Sequence, residues 1–417
     1  MHDGFYMAPM PKAMEQKNER AFLNVNMAEA VLSYHKSFPQ YAQTPLIKLH
    51  QLANSLGLGA LYVKDESCRF GLNAFKVLGG SYAMGRWIAQ KLGFSPEELS
   101  FEKLTSQPVR QALGEVTFVC ATDGNHGRGV AWTAKMLKQK AVIYLPRGTA
   151  KQRLDSIRTC GAQAYIMDMN YDACVRLANQ RAREEGWVLV QDTAWDGYEE
   201  MPSWIMQGYT SMVLEALRQL GDTIPTHVFL QAGVGSMAGA AAGLMRDFYG
   251  DKKPLIIVVE PNRADCLFGS AAANDGKLHV VTGDMDTIMA GLACGEPCTI
   301  AWEVLKETAD FAVSCPDWVA ALGMRVLGSA TGHDEKIVSG ESGAVTSGLA
   351  AALMQRKDLA RFKETLRLGS DSIVLCFSTE GDTDKKQYRE IVHHGKYPST
   401  VLDTGHYDEN QTDSQTL

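Results

Sequence analysis

Three segments of the sequence combine residue types that could act chemically on a small charged ligand. The first is KDESCRFGLNAFKVLGGSYAM at 64–84, where Lys76 directly precedes an apolar helical run. Apolar surroundings disfavour the cationic form of a lysine, so we expect the pKa of Lys76 to be lowered and its amine to be available to attack a carbonyl. A solvated surface lysine is the alternative that this segment leaves open.

The second segment, VTFVCATDGNHGRGVAWTAKM at 116–136, predicts a buried strand, a tight turn and the start of a helix. The turn holds Thr122, Asp123, Gly124 and Asn125. Its free N–H groups could bind a carboxylate, and the Asn125 amide could donate to a phenolate oxygen. A turn in which Asp123 or Asn125 merely caps the helix is equally compatible with the pattern.

The third segment, HVFLQAGVGSMAGAAAGLMRDF at 227–248, is a strand followed by a glycine-rich turn and a helix start. Such a turn lets backbone N–H groups approach a phosphate, and the positive end of the helix dipole adds to the attraction. The turn comprises Gly233, Val234, Gly235, Ser236 and Met237. Gly233, Gly235 and Ala238 also fit a dinucleotide fingerprint, with Glu260 where a ribose-binding acid would fall. A turn that only packs helix on strand is the third possibility.

Two further strands are predicted to end in polar residues. Asp192 follows the run WVLVQ, and Ser378 and Thr379 end the run SIVLCFS. Ligands of open α/β sheets bind at the carboxyl ends of the strands, which makes these side chains candidates for the same site. Taken singly, Asp192 could be a helix cap, and the two hydroxyl residues could be ordinary turn residues.

The elements that must position these residues alternate along the chain. Helical segments at 126–140, 171–186 and 197–221 lie between short apolar runs that predict strands, and this alternation is typical of βαβ units with mainly parallel sheets. The predicted strands lie at 61–63, 116–121, 141–145, 164–167, 187–191, 227–232, 255–259 and 372–378. Polar stretches at 95–115 and 221–226 suggest boundaries. We therefore expect a large domain from 1–94 and 206–396, a small α/β domain at 95–205 and a polar tail at 397–417.

Composition excludes several classes of protein. The 417 residues carry a net charge of −7, so no excess of positive charge is available to bind nucleic acid. No apolar stretch is long enough to cross a membrane and the start has no signal-peptide pattern, so we expect a soluble cytoplasmic protein. The nine cysteines show no pattern of metal ligands and are expected to be mostly buried thiols, although a pair such as Cys266 and Cys294 could form a disulfide.

Taken in order, the motifs resemble the fold type II pyridoxal-phosphate enzymes, the tryptophan synthase β and threonine dehydratase group. Within that group the sequence is most similar to the diaminopropionate ammonia-lyases. The resemblance spans about 44–384 and rests on NAFK, TDGNHG, QDTAWDGY, AGVGSM, SGESGA and STEGDTD. It implies two α/β domains with the site in the cleft between them. Dehydratases carry a small residue such as serine or alanine where this chain has Asp123.

The resemblance also implies roles for single residues. Lys76 would be the Schiff-base lysine, Asn125 the partner of the cofactor 3-hydroxyl, and the turn from Gly233 to Met237 the phosphate site. Ser378 and Thr379 would face the pyridine nitrogen, and a neutral hydroxyl there suits elimination. Thr122, Asp123, Gly124 and Asp192 would contact substrate, and the family resemblance implies a homodimer.

The expected reaction is elimination from D- or L-2,3-diaminopropionate to give pyruvate and ammonia. Lys76 would take the Cα proton of one enantiomer and Asp123 that of the other, while Asp192 would orient the β-ammonium. A serine or threonine dehydratase or a β-replacing synthase would share every cofactor residue. A protein that binds pyridoxal phosphate or amino acids without turnover is the remaining alternative.

Overall fold

The computed structural model describes residues 4–12, 21–329 and 332–399. Over these ranges the chain forms eleven strands, which are β1 (Tyr6–Pro9), β2 (Leu46–Lys48), β3 (Ala60–Asp65), β4 (Thr117–Ala121), β5 (Lys140–Leu145), β6 (Gln163–Ile166), β7 (Val188–Leu189), β8 (His227–Gln231), β9 (Leu255–Pro261), β10 (Phe311–Cys315) and β11 (Ile373–Ser378).

The same ranges contain sixteen α-helices. They are α1 (Val25–Lys36), α2 (His50–Leu56), α3 (Val77–Leu92), α4 (Phe101–Thr105), α5 (Gln107–Leu113), α6 (Asn125–Met136), α7 (Lys151–Thr159), α8 (Tyr171–Glu185), α9 (Glu200–Leu220), α10 (Ser236–Tyr249), α11 (Cys266–Ala273), α12 (Thr299–Thr308), α13 (Asp317–Gly328), α14 (Glu341–Gln355), α15 (Ala360–Leu366) and α16 (Lys385–Val392). None of these helices is both long and apolar enough to span a membrane.

The strands form two sheets. The larger has the order β1-β10-β9-β8-β11-β3-β2 and is parallel except at its edges, where β1 and β2 run antiparallel to their neighbours. The smaller has the order β6-β5-β4-β7 and is parallel throughout. The central strands of both sheets are almost wholly buried, as expected where helices cover both faces. The predicted α/β class with mainly parallel sheets is confirmed.

Three strands lack a counterpart among the predicted runs. The edge strands β1 and β2 are four and three residues long, too short to show a period, and β10 (FAVSC) mixes small and apolar residues. The run WVLVQ forms strand only at Val188–Leu189. Its last residue, Gln191, instead bonds β4 through its side chain, since Oε1 accepts from Ala121 N at 2.9 Å.

The distribution of strands bears on the predicted domains. All four strands of the smaller sheet lie within 95–205, and all seven strands of the larger sheet lie outside that range. The boundary at 205 falls inside the continuous helix α9. We therefore propose the same two domains with the second boundary moved to the segment before α9. Most of the predicted tail, 400–417, lies outside the described residues.

Helix α3 begins directly after Lys76 and joins the two sheets by packing against α6 and α9. The crossing with α6 is close because Gly129 has no side chain: a Cβ there would lie 2.8 Å from Val77 Cα. That contact brings the start of α3 against the start of α6. Lys76 and the turn at 122–125 therefore come to the same place, although they belong to different sheets.

A buried ionic cluster links α9 to the end of β3 and the residues that follow it. The Lys64 ammonium lies 2.8 Å from Glu215 Oε2, and the Arg69 guanidinium contacts both Glu215 Oε2 and Glu66 Oε2 at 2.7 Å. All four charged side chains are at most 1% exposed. Two cations and two anions balance each other, which is the condition for burying charge.

The nine cysteines all lie within the described residues and are free thiols. Eight are buried as expected, whereas Cys68 is exposed. Cys266 and Cys294 are both buried and unpaired by disulfide.

Candidate active site

The five segments predicted to carry site residues converge on one cavity between the two sheets. It is bounded by the start of α3, the turn before α6, the end of β7, the turn between β8 and α10, and the residues after β11. Its wall contains Phe75, Lys76, Asn125, Tyr171, Asp192, Tyr209, the run 231–237, Gly291, Leu292, Cys294, Ser342, Thr379 and Glu380. The carboxyl ends of four parallel strands therefore supply most of the polar groups, as the strand-end argument predicts.

Lys76 is held at the centre of this cavity by carboxylates. Its Nζ donates to Asp192 Oδ2 at 2.8 Å and lies 3.8 Å from Asp123 Oδ1. Burial acts to lower the pKa of Lys76, but the charges of Asp192 and Asp123 outweigh it and raise the pKa well above its ordinary value. The predicted lowering of this pKa is wrong, because the apolar neighbours in sequence gave no sign of two acids contributed by distant segments.

Asp192 is fixed by several groups besides Lys76. Its Oδ1 accepts from the Tyr171 hydroxyl and from Gln191 Nε2, each at 3.2 Å, and its Oδ2 lies 3.9 Å from His126 Nδ1. Burial acts to raise the pKa of Asp192, but His126 and Lys76 together lower it below its ordinary value. Asp192 is therefore a preorganised carboxylate that already binds an ammonium group.

Asp123 occupies a different position beside the same lysine. Its Oδ2 is buried, finds no hydrogen-bond partner among the described residues, and lies 3.7 Å from Arg153 Nη1. A buried oxygen without a partner is costly unless a ligand or a proton satisfies it. This oxygen is therefore free to accept a hydrogen bond from a ligand next to Lys76.

The glycine-rich turn has the geometry of an anion site. Gly235 adopts φ +102°, and a Cβ on Gly233 would lie 3.1 Å from Leu292 Cα and 3.2 Å from Cys294 Sγ. Within the described residues, the N–H groups of 233–237 have no protein acceptor. Free N–H groups at the start of α10 fit a phosphate. Ser236 Oγ donates to Asp192 O at 2.7 Å and so joins this turn to the carboxylate.

Glu260, the acid that a dinucleotide site would require, is already engaged in hydrogen bonds within the protein. Glu260 is fully buried, and its carboxylate accepts from Leu267 N at 2.9 Å and Phe268 N at 2.6 Å. These bonds satisfy the first turn of α11. Glu260 therefore presents no free carboxylate to a ribose in the cavity, and the dinucleotide alternative loses this support.

The remaining predicted cofactor residues take different positions. Asn125 and Thr379 line the cavity, and Thr379 Oγ1 accepts from Gln231 Nε2 at 2.9 Å. Ser378 is buried and is not part of that wall, and its hydroxyl donates to Ser339 Oγ at 2.8 Å. Of the two hydroxyl residues, Thr379 is therefore the one that lines the cavity.

Two residues predicted to contact substrate, Thr122 and Gly124, do not line the cavity and instead stabilise the turn before α6. Thr122 is 1% exposed, and its Oγ1 accepts from Gly124 N and Gly127 N at 2.9 Å. Gly124 adopts φ +146° and packs against the Arg153 side chain. Both residues hold Asp123 and Asn125 in place.

Sequence reasoning missed several residues of the cavity. Glu380 accepts from Asn125 Nδ2 at 2.5 Å and from Ser342 N at 3.2 Å, so it fixes the amide expected to meet the cofactor. Its position after β11 was the available signal. Tyr171 begins α8 and Tyr209 lies inside α9, and neither carried a signal in sequence. Tyr209 OH is buried and has no partner among the described residues.

Fold and site together define the class of protein, an enzyme dependent on pyridoxal phosphate. A family model described as pyridoxal-phosphate dependent enzyme matches residues 38–378. Diaminopropionate ammonia-lyase from Salmonella typhimurium is 49% identical over 380 residues, which cover 90% of this chain and 94% of that protein.

Solved structures agree. Holo diaminopropionate ammonia lyase from Escherichia coli matches with a TM-score of 0.88 at 46% identity, over 95% of this chain and 98% of that chain. The same enzyme in complex with an aminoacrylate-PLP azomethine reaction intermediate gives 0.86 at 46% identity, over 94% and 98% of the two chains. This chain belongs to the diaminopropionate ammonia-lyase family of pyridoxal-phosphate dependent enzymes. The predicted family, fold type and cofactor are confirmed.

Proposed function

We propose that this protein converts 2,3-diaminopropionate to pyruvate and ammonia. The observation that carries the proposal is the pair of carboxylates, Asp123 and Asp192, beside Lys76, whose cavity also contains the glycine-rich turn. A diamine needs a carboxylate to bind its second ammonium, whereas a hydroxy amino acid does not.

The residues present fit the cofactor. Lys76 would bind it covalently through Nζ, the N–H groups of 233–237 would hold its phosphate, and Asn125 and Thr379 would contact its ring substituents. When bound, pyridoxal phosphate supplies an electron sink that makes the Cα proton of an amino acid acidic. Among the two hydroxyl residues, the placement of Thr379 makes it the partner we assign to the pyridine nitrogen.

Two groups of this chain can take the Cα proton. Lys76 Nζ, once neutral, would accept it from one enantiomer, and Asp123 Oδ2 would accept it from the other. Asp192 would release the Lys76 ammonium and bind the β-ammonium of the substrate in its place. The C–N bonding electrons leave with nitrogen as ammonia, and the released enamine hydrolyses in water to pyruvate and a second ammonia.

The stoichiometry of the products tests the proposal. We expect the purified holoenzyme to form two ammonia per pyruvate from D- or L-diaminopropionate, with faster turnover than of serine or threonine. Serine would give one ammonia per pyruvate, and a threonine dehydratase would prefer threonine. Faster turnover of either hydroxy amino acid would assign the chain to dehydration, and absence of any turnover would favour a binding protein.

We further propose that the protein is cytoplasmic and forms a homodimer, as the family resemblance implies. It acts on a small amino acid and binds neither nucleic acid nor membrane, in line with its net charge of −7. Light scattering of the purified holoenzyme tests the dimer, and fractionation of cells tests the location.

A further inference from the structure

A second cavity adjoins the one that contains Lys76, and we call it the vestibule. Tyr171 lines both cavities. Asp123 lines the vestibule and lies 3.8 Å from Lys76 Nζ. The vestibule thus meets the catalytic cavity on the side where the two carboxylates stand.

Acidic side chains dominate the wall of the vestibule. Two arginines, Arg147 and Arg153, face them, and the Arg147 guanidinium is already paired with Asp168 at 2.9 Å. The acids are Asp123, Glu341, Asp284, Asp286 and Asp384. A cleft lined by an excess of one sign of charge raises the local concentration of ligands of the opposite sign.

Glu341 is the unusual member of this set. It is 3% exposed and begins α14, and among the described residues only its own backbone N–H donates a hydrogen bond to its carboxylate. Burial, together with the neighbouring carboxylate of Glu380, raises the pKa of Glu341 to about 7, and Arg153 offsets only part of this. A cation that reaches such a buried carboxyl stabilises its charged form.

We propose that the vestibule is a binding site for amino acids that carry an additional ammonium group, with Glu341 as the inner acceptor of that group. The inference rests on the proposed function and assigns a role to the SGESGA motif, which the catalytic scheme does not use. Asp284 and Asp286, both exposed, attract the cation at the rim. Glu341 then binds it next to Asp123 and Tyr171, from where the substrate passes to Asp192.

The inner acceptor is tested with E341Q, which keeps the size of the side chain. We expect KM for diaminopropionate to rise about tenfold with kcat within about twofold, because E341Q weakens capture of the substrate on its way in and leaves the reacting complex unchanged. For serine, we expect KM (if it is a substrate) or the inhibition constant (if it is a competitive inhibitor) to change less than about twofold. Equal weakening of both ligands would mean a structural role for Glu341 and would overturn its assignment. The absorption spectrum of the bound cofactor and the melting temperature show whether the variant is folded.

The rim is tested with D284N/D286N against the control D222N/D371N, which removes the same charge from exposed acids outside the vestibule wall. At an ionic strength of about 0.01 M the rim variant should have a kcat/KM for diaminopropionate about three- to fivefold below wild type, and at about 0.3 M the gap should close. Identical behaviour of the two double variants would overturn the inference. A wild-type enzyme that does not release pyruvate from diaminopropionate would refute the proposed function itself, which is a separate result.

Discussion

The ammonium nitrogen of Lys76 lies 2.8 Å from Oδ2 of Asp192, a carboxylate 116 residues away in sequence. This contact stabilises the charged form of Lys76 next to the carboxylate that is proposed to bind the substrate. The free Lys76 ammonium and the ammonium group of the substrate would therefore compete for the same carboxylate.

Replacing Lys76 with alanine should abolish turnover. Loss of both the attachment point and a general base is expected to cost at least about 10³-fold in kcat/KM, since each contribution is large alone. The absorption band of covalently bound cofactor should disappear as well. Lys91 at the end of α3 is exposed, so K91A is a matched control that should keep both signals. A K76A protein with a normal band and normal turnover would remove Lys76 from the site.

Replacing Asp123 with asparagine should affect one enantiomer of diaminopropionate. Removal of a general base lowers the rate for that enantiomer by about 10²-fold or more, while the enantiomer served by Lys76 should change only a few-fold. Separate kcat/KM measurements on the D and L forms check this. Equal losses for both enantiomers would argue that Asp123 acts by another route, for example on binding alone.

The pH dependence of cofactor attachment should move when Asp192 is changed. Because Asp192 raises the pKa of Lys76, the neutral amine is scarce at neutral pH, and attachment to the apoprotein should accelerate as pH rises. In D192N the pKa of Lys76 falls, so the same rate is reached at lower pH. Each unit of the fall gives about tenfold more neutral amine. Stopped-flow absorbance measures the rate, and an unshifted profile would contradict the pairing.

A methyl group on the phosphate turn should weaken cofactor binding. Gly235 has φ +102°, so G235A adds backbone strain and crowds Leu267 within 3.2 Å at the proposed phosphate site. We expect the dissociation constant of the cofactor to rise about tenfold or more, which corresponds to about 1.4 kcal/mol. Gly250 ends the same helix at φ +57° with nothing within 4 Å, and G250A should cost stability but not cofactor affinity. If both variants bound the cofactor with equal affinity, the turn would not be the phosphate site.

The buried ionic cluster predicts a stability effect far from the chemistry. E215Q leaves Lys64 and Arg69 without a shared anion and should cost about 3–5 kcal/mol in unfolding free energy. The exposed pair of Glu29 and Arg218 provides the control, since E29Q should cost less than about 1 kcal/mol. Chemical denaturation of both variants measures the difference.

The sign of the pH effect on this cluster is also fixed. Burial acts to raise the pKa of Glu215, but its bonds to Arg69 and Lys64 outweigh burial and lower the pKa below the ordinary 4.5. The stabilisation is therefore complete above that value and is lost as pH falls below it. Wild type should lose more stability than E215Q over that acidic range.

The sequence alone predicted the α/β class, a glycine-rich turn at 233–237 as a candidate phosphate site, and the candidate residues Lys76, Asp123, Asn125 and Asp192. Strand periodicity, glycine spacing and strand-end polarity are local properties, and local patterns survive in a linear string of residues. The motifs, read together, also indicated the family, which the match over residues 38–378 confirmed.

Only the tertiary structure decided which of these residues meet and in what state of charge. The raised pKa of Lys76, the turning of Ser378 toward Ser339 and the buried carboxyl of Glu341 all depend on groups from distant segments. Electrostatic and hydrogen-bonding energies depend on distance in space and on burial, and neither of these can be derived from the order of the residues alone.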